Sequence, residues 1–338
     1  MKKVTITDVA KKAGVSVKTV SRVINSEPNV RPALQKLVRN AVEELGFKRN
    51  QLARGLRSQH SFILTLIYSN PNPAYILELQ NGALNQAISE GYNLQLYPID
   101  HTSENIIDEI KSLITHSSPD GLILTHPLCD NKKLIEMLDE KKIPFARISP
   151  FGKEHPSPCV FSDDEEAAYQ MTKYLISLGH KDIGFIKGHP DFGATHKRYN
   201  GFVRACKEYS IAIDPTLVKQ GFFTYESGES CARELLSQAK KASAIFASND
   251  YMAAAVLKVA TQMKINVPTE LSLVGYDDSP VAHQIWPSLT TVKQPIKQLG
   301  TNIVKKLILH IHNKDFSEID RQLDCQIIHR ASSTINSH

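Results

Sequence analysis

Apolar residues near the amino terminus recur with helical spacing. A stripe at i, i+3, i+4 and i+7 predicts a first helix, and it consists of Ile6, Val9, Ala10 and Ala13. Thr5 and Asp8 have the spacing of a capping box at the start of this helix. Gly14 can adopt the left-handed conformation that ends it.

A second short helix is predicted after a tight turn. Ser16 can cap this helix, in which Val20 and Ile24 face inward. Its outer face is polar and basic, with Lys18, Thr19, Ser21 and Arg22. Two helices of this kind predict a helix-turn-helix, which places the second helix in a DNA major groove. A small amphipathic hairpin inside a larger domain is the alternative.

A third helix completes the predicted head. Pro32 suits its first turn and Gly46 can end it. Its wide apolar face is formed by Leu34, Leu37, Val38, Ala41, Val42 and Leu45. Three helices in about 45 residues give a small but plausible core.

From residue 62 onward, β-forming apolar runs alternate with helical stretches. The predicted strands lie at 62–68, 92–99, 121–125, 144–149, 182–188, 217–223, 244–249 and 271–277. The predicted helices lie near 76–90, 104–116, 131–141, 164–178, 197–209, 227–239, 251–263 and 295–312. This alternation predicts an α/β fold whose parallel sheets are covered by helices on both faces.

A Pro-rich break near 150–163 divides this alternating region. Its length, about 270 residues, suits two doubly wound lobes with a cleft between them. Ligands bind such sheets at the carboxyl ends of the strands. The candidate site is therefore the set of loops at 68–73, 98–101, 125–127, 148–150, 189–193, 222–225, 248–250 and 276–279.

Positive charge is concentrated at one end of the chain. Residues 1–60 contain 13 Lys/Arg and four Asp/Glu, whereas the remaining 278 residues contain 27 Lys/Arg and 31 Asp/Glu. A basic head on a mildly acidic body favours a polyanionic partner at that end. Charge alone would favour a solvated positive surface, and it is the helical pattern beside it that favours DNA.

Cysteine usage and the absence of several motifs restrict the compartment and the chemistry. The five cysteines stand singly, without a CxxC pair: Cys129, Cys159, Cys206, Cys231 and Cys325. Histidines near the strand ends lack metal-ligand spacing: His126, His189 and His196. We therefore expect no metal site, no disulfide framework and a reducing cytoplasm.

No signal-like or membrane-spanning segment is found. No dinucleotide, P-loop or nucleophile-elbow motif is found either, so no enzyme activity, catalytic residue or cofactor is predicted.

Seven short motifs follow one another along the chain: TITDVAKKAGVSVKTVSRVIN, LARGLR, LGHKDIGFIKG, RYNGF, ASND, LSLVGYDD and LTTVKQP. Their shared order, over about residues 4–333, resembles the lactose/galactose repressor (LacI/GalR) family of bacterial transcription regulators. The resemblance implies a homodimer in which each subunit reads half of a palindromic operator in double-stranded DNA. No heptad tail follows the core, so a dimer rather than a tetramer is expected.

The resemblance also implies a domain plan. A helix-turn-helix head (1–49) and a hinge helix or linker (50–60) precede a two-lobed effector core similar to periplasmic sugar-binding proteins. The N-terminal lobe comprises 61–161 plus about 293–322. The C-terminal lobe comprises 162–292 plus about 323–338.

DNA-contact positions can be carried over from the family. The expected base contacts are Val17, Lys18 and Arg22, and Arg22 can make two hydrogen bonds to a guanine. The expected phosphate contacts are Thr5, Thr19, Ser21 and Asn25. In the hinge the expected contacts are Ala53, Leu56 and Arg57, with Leu56 as a wedge between central base pairs. The alternatives are helix capping for Thr5 and a core position for Leu56.

Effector-binding positions are implied at Tyr75, Ile76, Asp163, Arg198, Phe223, Asn249 and Asp277. Aromatic faces together with Asp, Asn and Arg suit a sugar, which has apolar ring faces and many hydroxyls. Phe223 could instead be plain core. Asp250 is interpreted as the cap of the following helix.

The sequence therefore predicts a DNA-binding transcriptional regulator that represses a carbohydrate-utilisation operon. A mono- or oligosaccharide bound between the lobes would set its operator affinity. Phe192 and Ala194 stand where purine-binding members carry hydrogen-bonding residues, which disfavours a purine effector. A purine- or nucleoside-responsive regulator is the nearest alternative. A cytosolic sugar-binding protein without DNA function is an alternative of another class.

Overall fold

The computed structural model describes residues 4–24, 30–47, 60–152, 154–239 and 241–336. The chain divides into two compact units, the head (Met1–Ser61) and the core (Phe62–His338). Four of the predicted DNA contacts lie outside the described residues: Asn25, Ala53, Leu56 and Arg57.

The head contains α1 (Ile6–Ala13), α2 (Val17–Ile24) and α3 (Pro32–Leu45). The predicted capping box is present, because the Thr5 backbone N–H donates to Asp8 at 2.8 Å and the Asp8 N–H donates to the Thr5 hydroxyl. A hydrophobic cluster from all three helices is centred on Val9, Val20 and Val38, which are fully buried. The predicted helix-turn-helix arrangement is confirmed.

The core alternates strands and helices throughout. Its elements in chain order are β1 (Ile63–Tyr68), α4 (Pro73–Ser89), β2 (Asn93–Pro98), α5 (Ile106–Ser117), β3 (Gly121–Leu124), α6 (Lys132–Glu140), β4 (Phe145–Ile148), β5 (Cys159–Ser162), α7 (Asp164–Ser177), β6 (Ile183–Lys187), α8 (Gly193–Glu208), β7 (Val218–Gln220), α9 (Tyr225–Leu236), β8 (Ala244–Ala247), α10 (Asp250–Gln262), β9 (Ser272–Val274), α11 (Pro280–Gln284), β10 (Thr291–Lys293), α12 (Ile296–Ile311), β11 (Gln322–Leu323) and β12 (Gln326–Ile328).

The strands form two parallel sheets, one in each lobe. The N-terminal lobe has six strands in the order β11-β5-β4-β3-β1-β2, and the C-terminal lobe has four in the order β7-β6-β8-β9. β10 and β12 form a separate antiparallel pair that packs with the C-terminal lobe. Each main sheet has a hydrophobic cluster on both faces, as expected for parallel sheets. The predicted fold class, with two doubly wound lobes, is confirmed.

Three crossings of the chain join the lobes, between β5 and α7, between β10 and α12, and between β11 and β12. Hydrogen bonds tie the crossings together. The buried Ser162 hydroxyl donates to Gln294 at 3.1 Å, and Gln322 donates to Asp163 at 3.0 Å. The three crossings therefore form one hydrogen-bonded connection between the lobes at the base of the cleft.

Several predicted element boundaries differ from the structure, and two of them bear on the cleft. The helix predicted from about residue 76 begins at Pro73, because the Asn72 side chain accepts from the Tyr75 N–H and caps it. The strand predicted over 217–223 ends at Gln220. Phe223 has a φ of 62°, which no strand residue adopts, so the chain turns towards the cleft there.

Candidate functional site

The exposed face of α2 carries the predicted base-contacting residues. Ser16 caps this helix by accepting the Thr19 N–H at 3.1 Å, while Val20 and Val23 are buried. Because these two valines face the core of the head, the opposite face of α2 points outward. Lys18 is exposed, Val17 is 42% exposed and Arg22 is half-buried. An apolar and two cationic side chains on one short helix suit contact with the edges of bases.

Two of the predicted phosphate contacts have structural roles. The Thr5 hydroxyl donates to Asp8 at 2.7 Å as part of the capping box. The Thr19 hydroxyl lies 2.9 Å from that of Ser16. The described structure therefore accounts for both hydroxyls as helix-start groups, while a DNA contact of either one stays a prediction.

The cleft between the lobes encloses a small cavity of about 40 Å³. The N-terminal lobe contributes Asn70, Asn72, Tyr75, Thr125, His126 and Ser149. The C-terminal lobe contributes Asp164, Phe192, Ala194, Arg198, Phe223 and Asp277, and the crossing before α12 contributes Gln294. Most of these residues follow the carboxyl ends of parallel strands, where ligands of such sheets bind.

Arg198 is the buried charge at the centre of this cavity. Its Nε donates to Asp164 at 2.9 Å, and its Nη1 donates to the Ser248 carbonyl at 2.6 Å. The guanidinium also lies 3.6 Å from the centre of the Tyr276 ring. Burial alone would lower the pKa of Arg198, but the carboxylate of Asp164 and other neighbours raise it, so the side chain stays protonated.

Asp277 joins the lobes inside the cavity. Its carboxylate accepts from Asn72 of the N-terminal lobe at 2.6 Å and from Gln294 of a crossing at 2.6 Å. Arg198 lies 3.9 Å away. Burial raises the pKa of Asp277 to about 6, so the carboxylate is ionised near neutral pH. A ligand that competes for these bonds would change how the lobes are held.

Phe223 forms an aromatic wall of the cavity. Its ring packs against Gly188, where an added Cβ would lie only 1.9 Å from the ring. The Asn249 side chain donates to the Phe223 carbonyl at 2.8 Å and thereby fixes the turn. Phe223, Ser149 and Asp277 all have positive φ (62°, 53° and 113°) and all line the cavity. Strained backbone of this kind concentrates at ligand sites.

Four of the seven predicted effector residues come together around the cavity: Tyr75, Arg198, Phe223 and Asp277. The other three do not line it. Ile76 is buried, Asp163 caps α7 beside the crossings between the lobes, and Asn249 caps α10. The adjacent Asp164, rather than Asp163, faces the cavity.

Asp250 is not the cap of α10, so that prediction is wrong. Asn249 caps the helix by accepting the Met252 N–H at 2.9 Å. Asp250 is fully buried and accepts from Ser279 and from the Thr291 hydroxyl, at 2.7 and 2.6 Å. Burial, followed by the charge of Asp277, raises the pKa of Asp250 to about 8.

These raised pKa values predict how the core responds to pH. A carboxyl with a raised pKa in the folded state binds more protons there than in the unfolded chain, so stability falls as pH rises. We expect the free energy of unfolding to fall from about pH 4 to about pH 8, the range between the ordinary Asp pKa and the raised pKa of Asp250, and Asp250→Asn to flatten this slope. Chemical denaturation at several pH values measures it, with the exposed Asp324→Asn as control. If the free energy of unfolding depends on pH in the same way in Asp250→Asn and in the native chain, the raised pKa of Asp250 is contradicted.

None of the described helices is long and apolar enough to cross a membrane.

Comparisons with known proteins agree with both units of the chain. The model of bacterial regulatory proteins of the lacI family matches residues 5–50, and the periplasmic binding protein-like domain matches residues 172–333. Catabolite control protein A of Priestia megaterium is 30% identical over 331 residues, which cover 98% of this chain and 99% of that protein. The HTH-type transcriptional repressor PurR of Pasteurella multocida is 30% identical, covering 97% of this chain and 98% of that protein.

Solved structures show the same fold over almost the whole chain. The complex of the transcriptional regulator CelR with cellobiose has a TM-score of 0.72 at 29% identity, covering 98% of this chain and all of that one. The lac repressor dimer bound to operator and the anti-inducer ONPF has a TM-score of 0.79 at 23% identity with the same coverage, which supports the fold. The chain therefore belongs to the lacI family of bacterial regulatory proteins and is a DNA-binding transcriptional regulator rather than an enzyme.

Proposed function

We propose that this protein represses a carbohydrate-utilisation operon and that a sugar-like effector between the lobes sets its affinity for a palindromic operator. The observation that carries the proposal is the position of Asp277. Its carboxylate bonds Asn72 of the opposite lobe in a buried cavity that also contains Arg198. An effector that replaces the hydrogen bond between this carboxylate and Asn72 changes how the two lobes are held against each other.

The lining chemistry supports a polyhydroxylated ligand. Carboxylates, amides and hydroxyls converge from both lobes, and aromatic faces of Tyr75, Phe192 and Phe223 flank them. Sugars need both kinds of surface, because apolar ring faces alternate with hydroxyls that must be paired. CelR, similar over nearly the whole chain, is solved with cellobiose.

A purine effector is the second candidate, because several relatives about 30% identical over nearly the whole chain are named PurR. A thermal-shift panel of mono- and disaccharides, purine bases and nucleosides separates the two classes. A ligand at about 100 times its dissociation constant adds about 2.7 kcal/mol of stability. Stabilisation by a purine base and by no sugar would overturn the sugar proposal.

We infer that the repressor acts in the cytoplasm, where bacterial DNA lies, as a homodimer. The core offers a suitable surface on α4 and the edge strand β2. Its exposed apolar side chains are Leu77, Leu84, Ile88 and Leu96. The three on α4 are spaced i, i+7 and i+11, so they share one helix face. Exposed apolar side chains aligned on one helix face are typical of a protein–protein interface.

A charge in this surface should break the dimer. Ile88 is 62% exposed, so Ile88→Glu leaves the subunit fold intact but places a carboxylate in the interface. We expect light scattering to show a monomer and operator affinity to fall at least tenfold, since a monomer reads one half-site. Met263→Glu, at a 39% exposed position of the C-terminal lobe, is the matched control. A dimeric Ile88→Glu protein would place the interface elsewhere.

Arg22 is the proposed guanine reader of α2. Arg22→Ala should weaken operator binding by about 1–3 kcal/mol per half-site and relax the base preference at one position. Anisotropy titrations against operators with single substitutions test this. Lys36→Ala, on α3, removes the same charge and should weaken all sequences about equally. An unchanged base preference in Arg22→Ala would refute the predicted docking of α2.

A further inference from the structure

Loops from opposite lobes bring three potential metal ligands together at the mouth of the cleft. His101 follows β2 in the N-terminal lobe, and His189 and Asp191 follow β6 in the C-terminal lobe. Their candidate ligand atoms all lie within 4.8 Å of one another. Asp191 Oδ2 is 3.5 Å from His101 Nε2 and 3.9 Å from His189 Nδ1. His189 Nδ1 also accepts a long hydrogen bond, 3.3 Å, from the Asp191 backbone N–H, which an ion bound to this nitrogen would replace.

These separations suit ligands of one ion better than hydrogen bonds. A tetrahedral ion with bonds of about 2.0–2.1 Å holds neighbouring ligand atoms about 3.3 Å apart. A direct N–H···O bond would bring the two atoms to about 2.7–3.2 Å. The separation between Asp191 and His101 is therefore within a few tenths of an ångström of the spacing of two ligands on one ion.

The state of His101 is a second, independent observation. Its Nε2 is buried and has no hydrogen-bond partner within the described part of the chain. Its Nδ1 lies 2.9 Å from the Ser69 hydroxyl, which fixes the ring. Histidines that bind metals are held in this way, with the outer nitrogen hydrogen-bonded and the inner one turned to the ion.

The three potential ligands lie between an aromatic side chain and a pocket that is open to solvent. Phe192 packs edge-on against both rings, with centroids 6.1 Å from His101 and 5.2 Å from His189. A wider pocket of about 700 Å³, which both histidines and the half-exposed Phe222 line, opens to solvent. Three protein ligands beside an open pocket leave a fourth position for water or for a ligand atom.

A second group of potential ligands, His126, Cys129 and Asp130, lies within the N-terminal lobe. Its members already bond one another, since His126 Nδ1 is 3.2 Å from Asp130 and 3.5 Å from the Cys129 sulfur. Burial also raises the pKa of the Cys129 thiol, and the thiol form is a poor metal ligand. This group is therefore the weaker candidate.

We propose that His101, His189 and Asp191 form a site for a divalent ion of the zinc class that joins the two lobes. Two imidazoles and one carboxylate match the donors that zinc prefers. Because the ligands come from both lobes, the bound ion would stabilise their close approach. None of the three ligands lines the cavity around Arg198, although Phe192 borders both places, so the site can be tested without an effector.

Calorimetric titration of the chelator-treated full chain with zinc sulfate tests the proposal. We expect one ion per chain, and the cobalt(II) form should show the visible absorption bands of tetrahedral coordination. Asp191→Asn, at an exposed position, and His101→Gln should each lower zinc affinity at least tenfold. His116→Gln, which removes an exposed histidine of α5, is the matched control and should bind normally.

Three results would overturn the site. These are no zinc binding at neutral pH, unchanged affinity in both Asp191→Asn and His101→Gln, or loss of binding in Cys129→Ser. The last would assign the ion to the group around His126. Because the measurement needs neither operator nor effector, failure here leaves the proposed function standing, and failure of the sugar proposal leaves the zinc site standing.

Discussion

Replacing Asp277 with Asn should weaken effector binding about 10- to 100-fold and leave operator binding without effector nearly unchanged. Both carboxylate oxygens accept hydrogen bonds, from Gln294 and from Asn72 across the cleft. An Asn side chain offers one acceptor and turns an N–H₂ group towards a neighbouring donor. The substitution keeps the shape of the side chain but removes the charge that an effector hydroxyl would meet.

Asp278→Asn is the matched control for that variant. Asp278 has the same side chain one residue later, but it accepts from Arg330 at 2.5 Å, and it does not line the cavity. Effector affinity is measured by calorimetry and operator affinity by anisotropy. If Asp277→Asn binds and responds to effector as the native chain does, the effector site lies elsewhere.

Arg198→Met should lower the free energy of unfolding of the core by about 3–5 kcal/mol. The substitution leaves the buried carboxylates of Asp164 and Asp277 without their cation, and it leaves the Ser248 carbonyl without a donor. Uncompensated charge in a buried site is among the largest single-residue penalties known. Chemical denaturation of the native and variant chains measures the difference.

A double variant separates charge from packing. Arg198→Met together with Asp164→Asn removes one of the unpaired charges, so it should be more stable than Arg198→Met alone. The coupling energy in such a cycle is expected at about 0.5–3 kcal/mol. Additive losses would mean that the ion pair contributes no net stability and that Arg198 acts through packing on Tyr276.

The helical head and the alternating core could be predicted because their signals are local. The helical stripe from Ile6 to Ala13 and the capping box at Thr5 each lie within one element. The strand ends that line the cavity follow from the rule for parallel sheets, so the loops carrying Asn72, His126 and Phe192 could be placed at the cleft.

It was harder to predict which individual side chains line the cavity. The residue at which a helix begins decides which neighbouring side chain caps the helix and which one faces the cavity. Asp163 and Asp164 are adjacent, yet the first caps α7 and the second faces Arg198. Asn249 and Asp250 pose the same problem at α10, where the cap is one residue earlier than predicted. Sequence spacing does not resolve a shift of one residue in a cap.

Direct contacts between side chains of different lobes could not be predicted. In sequence His189 has one nearby potential metal ligand, Asp191, and the structure brings His101 to the pair from the other lobe. Gln294 likewise reaches Asp277 from a chain crossing, and its place in the motif LTTVKQP does not reveal that contact. Such contacts depend on how the two sheets face each other, which a single sequence does not encode in local patterns.

The central claim is that a ligand between the lobes sets operator affinity, and thermodynamic linkage tests it most directly. The operator is selected from random palindromic duplexes, and the ligand is a sugar that stabilises the core. Each dissociation constant is then measured with and without the other partner. The account predicts that the sugar weakens operator binding and that the operator weakens sugar binding by the same factor. Operator affinity that stays constant at saturating sugar would contradict it.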